Sequence, residues 1–132
     1  MTVIDAGVIV VALTDDGTDG AVARARMQGA SCSAPELIDL ETTSGVRRLH
    51  AAGQLDARRA EWALAELLAL PIRRRSHRPL VTRCWELRHN LTIYDAAYVA
   101  LAESLQTVLI TADARLAGAP GPRCEIELLS RA

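Results

Sequence analysis

Four short apolar runs in this chain each carry a carboxylate at or near an end: Asp5 in TVIDAGVIVVAL, Glu41 in APELIDLE, Asp95 in TIYDAAYVALAE and Asp113 in VLITAD. A buried charge without a partner is costly, so a fold that accepts this pattern must bring the acids to a place where charge is tolerated. A parallel α/β sheet does so, because its functional groups gather beyond the carboxyl ends of its strands. Asp5, after Thr2-Val3-Ile4, and Asp113, after Val108-Leu109-Ile110, then reach one crevice, with Glu41 and Asp95 supplied by helices. Carboxylates packed together raise one another's pKa unless a cation sits among them. Oxygen donors of this kind favour Mg²⁺ or Mn²⁺.

The 132 residues suffice for one domain with a sizeable core, read here as a single unit over 1–132. A formal net charge of -1 gives no global attraction for nucleic acid or membrane, so anion binding requires a local patch. Every basic residue is Arg, which removes mechanisms that need a lysine nucleophile, a Schiff base or a P-loop lysine. Cys32, Cys84 and Cys124 are widely separated and lack CxxC spacing; they are expected as small apolar side chains rather than disulfides or zinc ligands. The N-terminus has no basic segment and Asp5 interrupts its apolar run, so no secretory signal is expected. No apolar stretch has membrane-spanning length, and the cytoplasm is the expected compartment.

Along the chain, residues 2–6 read as a buried strand and 8–13 as the start of a helix. Asp19 is placed as the cap of a helix over 21–28, followed by a weak strand over 31–34. Pro35 fits the first turn of the next helix. On that helix Leu37, Glu41, Ser44 and Arg48 share a stripe, making Glu41 the preferred ligand over Glu36, which suits a first-turn capping role. Asp56 caps a helix running to Ala69, an edge strand covers 70–73, and Pro79 opens a helical run to Arg88. Thr92 is the expected N-cap of a helix over 93–104, with Asp95 at capping-box spacing. A strand over 107–111, a short helical turn after Asp113 and a strand over 125–129 complete a three-layer α/β/α sandwich with a mainly parallel sheet.

The segments Val3-Ile4-Asp5-Ala6, Pro35-Glu36-Leu37 leading to Glu41, Leu91 to Ala102 around Asp95, and Leu109-Ile110-Thr111-Ala112-Asp113 with Leu116 together resemble the PIN-domain family. The likeness is strongest to the VapC toxins of bacterial toxin–antitoxin pairs and covers nearly the whole chain. It implies a metal-dependent endoribonuclease whose acidic constellation matches Asp5, Glu41, Asp95 and Asp113, with Thr111 matching a frequent hydroxyl neighbour. It further implies Mg²⁺ or Mn²⁺, a cognate VapB-like antitoxin over the acidic groove, a homodimer, and contact with DNA only through the antitoxin. Hydrolytic attack by water would leave a 5′-phosphate and a 3′-hydroxyl.

Arg73, Arg74, Arg75 and Arg78 form the densest basic patch, for which RNA phosphate is the functional partner and a solvated loop the bland one. Trp62, Trp85, Tyr94 and Tyr98 stand between core packing and a dimer or antitoxin surface. Receiver domains and haloacid-dehalogenase-like phosphatases also use strand-end aspartates, but the first need a lysine and the second an Asp-x-Asp start, and this chain has neither. The remaining alternative is a catalytically weak PIN scaffold that binds RNA or a protein.

Overall fold

The computed structural model describes residues 1–129. Its elements run β1 (Thr2–Ile4), α1 (Ala6–Thr14), α2 (Thr18–Gln28), β2 (Cys32–Pro35), α3 (Ile38–Ala51), α4 (Ala57–Ala69), β3 (Arg73–Arg75), a 3₁₀ turn (Arg78–Leu80), α5 (Val81–Glu86), α6 (Ile93–Leu105), β4 (Val108–Thr111), α7 (Ala114–Gly118) and β5 (Ile126–Leu128). The strands form one five-stranded sheet in the order β3-β2-β1-β4-β5 with every pairing parallel. Connections leave β1 outward through β2 to β3, then return across to β4. The strand order therefore reverses between β1 and β4, the position at which open parallel sheets open a crevice for ligands.

Helix α1 packs on α2, α3 and α4, whereas α5 packs on α6 and α6 lies against β1, β2 and β4. Right-handed crossovers put these two groups on opposite faces of the sheet. Strand β1 is buried along its length, and Val3, Ile4, Ile9, Ile38, Leu109 and Ile110 are fully enclosed. Helices α1 and α3 meet closely at Gly45, where a Cβ would stand 2.7 Å from Val10 Cγ2.

Several local expectations need correction. Asp19 is not the cap of α2; the helix begins at Thr18, and Asp15 Oδ1 instead accepts from the amides of Gly17 and Gly20. Pro35 ends β2 rather than starting α3. It is tolerated there because the pairing with β1 stops at Ser33, so no strand on that side lacks its N–H. The edge strand lies at Arg73–Arg75, beyond Pro71, and the run after Pro79 begins as a 3₁₀ turn and stops at Glu86. The caps placed at Asp56 and Thr92 are present: their side chains accept from the amides of Arg59 and Asp95. Cys32 and Cys84 are free and buried, while Cys124 is only partly enclosed.

Candidate active site

Asp5 and Asp113 sit where a strand becomes a helix, and each carries out the change. Asp5 follows β1 in extended conformation and accepts from the Val8 amide at 3.0 Å, capping α1. Asp113 follows β4 and accepts from the Arg115 amide at 2.9 Å, capping α7. The β1–β4 register pairs Ile4 with Ile110, and the Asp5 amide donates to the Ile110 carbonyl at 3.1 Å. Thr111 is thereby set beside Asp5. Its buried hydroxyl donates to Asp5 Oδ2 and accepts from the Asp113 amide at 3.0 Å, tying the two acids together.

Glu41 in the first turn of α3 and Asp95 in the first turn of α6 arrive over the same end of the sheet. Asp5, Glu41, Asp95 and Asp113 line one cavity of about 1050 Å³, together with Ser44, Gly45, Arg48, Tyr94, Tyr98 and Arg115. The stripe read on α3 holds for Glu41, Ser44 and Arg48, which line this cavity, but not for Leu37, which precedes the helix and lines a different cavity.

Burial is the leading cause that holds the carboxyl groups of Asp5, Glu41 and Asp95 above their ordinary pKa, and mutual repulsion adds to it. At Asp5 the Thr111 hydroxyl and the Val8 amide oppose the rise, while the charges of Asp95 and Asp113 reinforce it. At Glu41 the opposing groups are Tyr98, whose hydroxyl donates to Oε1 at 2.7 Å, and then the charge of Arg48. Burial first, then the Glu41 charge, keeps the Tyr98 phenol firmly protonated and so a permanent donor.

Tyr98 is 1% exposed, so it belongs to the interior of the site and not to a dimer or antitoxin surface. Sequence reasoning missed its role, although its signal was present: it stands three residues after Asp95, on the same face of α6. The basic patch is also redistributed. Arg74 turns inward, pairing with both carboxylate oxygens of Asp39 and donating to the carbonyls of Leu67, Leu70 and Ile72. It is withdrawn from any RNA-binding set, and Arg73, Arg75 and Arg78, though exposed, do not line the acidic cavity. The cations that do line it are Arg48 from α3, which the sequence set on the Glu41 stripe, and Arg115 from α7, which the sequence did not single out.

A match to the family model for the PIN domain spans residues 2–122. The chain is 41% identical over 128 residues to Ribonuclease VapC1 of Mycobacterium tuberculosis, covering 96% of each protein. This is a PIN-domain protein of the VapC family. A second VapC relative from M. tuberculosis, Ribonuclease VapC9, is 39% identical and is covered completely by 99% of this chain. Among solved structures, a toxin-antitoxin complex from Klebsiella pneumoniae superposes with a TM-score of 0.67 at 18% identity over the full length of both chains. M. tuberculosis VapC20, described as a Sarcin-Ricin loop cleaving toxin, superposes at 0.65 and 16% identity over 90% of this chain and 96% of its own. At those identities the structural matches carry the fold, and they agree with the parallel α/β/α arrangement described above.

Among the described residues no three acidic, histidine or cysteine side chains close on one point tightly enough to cage an ion. The four acids instead line an open cavity, and the donor atoms they offer are all carboxylate oxygens. Carboxylate oxygens are the donor type that Mg²⁺, which keeps several waters and takes few protein carboxylates, prefers, whereas a closed zinc site uses thiolate and imidazole.

Proposed function

We propose that this chain is the toxin of a toxin–antitoxin pair and works in the cytoplasm as an endoribonuclease that hydrolyses RNA phosphodiester bonds with the help of Mg²⁺ or Mn²⁺. The observation that carries the reading is the convergence of Asp5, Glu41, Asp95 and Asp113 on the sheet's switch-point cavity, with three of them held above their ordinary pKa. Asp5 and Asp113 would anchor the cation, and Glu41 and Asp95 would complete its surroundings, directly or through water. When bound, the ion supplies positive charge against the phosphodiester and makes water a better nucleophile near neutral pH.

The protein's own groups do the positioning. Thr111 fixes one oxygen of Asp5 while the Val8 amide holds the other, so that carboxylate cannot turn away. Tyr98 holds Glu41 Oε1 and leaves Oε2 without a protein partner among the described residues. A half-buried carboxylate with a raised pKa is a better proton acceptor than a solvated one, which suits Glu41 and Asp95 alike to position the attacking water; Glu41, with Oε2 unpartnered among the described residues, is the one assigned to accept its proton. Arg48 and Arg115, which line the same cavity, offset the charge of the RNA strand entering among the acids.

A VapB-like antitoxin is the expected partner that covers the cavity, and any DNA contact would come through it. A homodimer is expected as well. Trp62, Leu68 and Leu128 are exposed and offer apolar surface for such assembly. Among the described residues no helix is long and apolar enough to cross a membrane. The test is expression without the antitoxin: growth should stop, and Asp5→Ala should restore it. Equal growth arrest by both proteins would reject the nuclease as its cause.

A further inference from the structure

The acidic cavity does not end at the acids. Tyr94, in the first turn of α6, lines it and also lines a second cavity of about 380 Å³ bounded by Leu37, His77, Val81, Cys84, Trp85, Ile93 and Ala97. Leu37 follows β2 and His77 follows β3, so this groove continues along the carboxyl edge of the sheet from the β1–β4 crevice toward β3. Its volume is within the range of small-molecule sites, about 300–1,000 Å³.

The groove is apolar yet open. Val81, Trp85, Ile93 and Tyr94 are 59%, 62%, 47% and 64% exposed. The Arg88 guanidinium lies 4.2 Å from the Trp85 ring centroid and donates to the Trp85 carbonyl at 2.8 Å, which fixes the indole beneath a cation. Arg75, Arg78 and Arg88 are exposed and have no carboxylate partner among the described residues. Exposed aromatic surface with Arg88 stacked on it, near Arg75 and Arg78 on either side of His77 in sequence and continuous with the acidic cavity, matches single-stranded nucleic acid, whose bases stack on aromatic rings while its phosphates meet cations. Burial holds the Cys84 thiol above its ordinary pKa, which removes a thiolate role for the groove.

We infer that the Trp85–Tyr94 groove is a nucleobase subsite that takes an unpaired base of the RNA strand next to the bond being cut. The inference rests on the nuclease reading for its substrate and adds the place where that substrate is gripped. Arg75 and Arg78 are then phosphate contacts of the same strand, outside the acidic cavity.

Trp62 and Trp85 are the two tryptophans, and Trp62 stands on α4 against Arg58, outside the groove. In a Trp62→Phe protein, emission therefore reports on Trp85 alone. The protein is titrated in EDTA, where the strand is not cut, with a mixed-sequence single-stranded RNA oligonucleotide and with the same strand carrying abasic riboses. The intact strand should quench Trp85 and the abasic strand should not. Trp85→Ala should weaken binding of the intact strand by roughly 5- to 100-fold, the range for losing one base–aromatic stack, and should leave the abasic strand unaffected. Equal response to both strands overturns the subsite. So does emission that follows protein concentration instead of RNA, with a doubled mass in sedimentation, which would assign the groove to a second copy of the chain. Cleavage by the parent protein is measured in parallel with Mg²⁺: cutting without quenching removes the subsite alone, and quenching without cutting removes the nuclease alone.

Discussion

Replacing Thr111 by Val removes one hydroxyl from the centre of the site while keeping the side chain's shape. Two interactions go with it. The hydroxyl donates to the Asp5 carboxylate, and a bond to a charged group contributes about 1.5–3 kcal/mol; it also accepts from the Asp113 amide, whose loss costs about 1 kcal/mol or more if the N–H stays dry. Asp5 can escape part of the penalty by taking up a proton, because Thr111 opposes the rise in its pKa. The expected loss is therefore about 2–4 kcal/mol, or roughly 10 °C in Tm for a domain of this size. Urea unfolding of the metal-free protein measures it, with Thr111→Ser as the control that keeps the hydroxyl and loses only a methyl, about 1 kcal/mol. In an Asp5→Asn background the same Thr111→Val change should cost at least 1 kcal/mol less. A Thr111→Val protein within about 0.5 kcal/mol of the parent, with no coupling to Asp5, would refute the claim that this hydroxyl ties the two acids together.

Arg74→Ala should destabilise by about 3 kcal/mol, since it leaves Asp39 and the carbonyls of Leu67, Leu70 and Ile72 without their donor, whereas Arg73→Ala and Arg75→Ala should stay within about 0.5 kcal/mol; urea midpoints separate the two behaviours. Tyr98→Phe should lower kcat roughly tenfold with little change in KM, as expected when a group that orients a proton acceptor is lost; a change confined to KM would contradict the assignment. The carboxyl pKa values of Asp5, Glu41 and Asp95 are raised in the folded state, so these groups favour the fold most below their unfolded values, 3.8 for Asp and 4.5 for Glu, and that contribution is lost as pH rises through the folded values. Metal-free protein should thus gain stability at pH 7 from Asp5→Asn, and Mg²⁺ or Mn²⁺ should raise Tm more at pH 7 than at pH 5; equal shifts at both would argue against the acids as ligands.

The sheet and the acids were legible because one local pattern encodes both. An apolar run that ends in Asp and is followed by helix-forming residues describes a buried strand and a turn into helix at once, which is why Asp113 was placed at the start of its helical turn; Asp5 was read inside a strand over 2–6, whereas β1 stops at Ile4 and Asp5 caps α1. Thr92 and Asp56 were legible for the same reason: capping is local chemistry. The misreadings at Pro35, Arg74 and Tyr98 depended on what lies across the fold. Pro35 looked like a helix starter because sequence does not tell where its neighbour β1 stops pairing. Arg74 looked like its neighbours in a basic run, yet strand alternation turns it inward toward Asp39, thirty-five positions away in sequence. Tyr98 looked like one more packing residue until the two sides of the sheet brought its hydroxyl to Glu41. Arg115 became a cavity wall only once α7 was set beside the acids.

The central claim is that the four converging acids make this VapC-family chain a metal-dependent ribonuclease. Its most direct test is incubation of total bacterial RNA with the purified protein in Mg²⁺, Mn²⁺ or EDTA, beside Asp5→Ala and Asp113→Ala proteins shown to be folded, followed by sequencing of the new ends. Discrete cuts with 5′-phosphate and 3′-hydroxyl ends, present with metal and absent in EDTA and in both variants, are the predicted result. Cuts that persist in EDTA or in the variants, cyclic phosphate ends, or no cuts by the metal-loaded parent would contradict it.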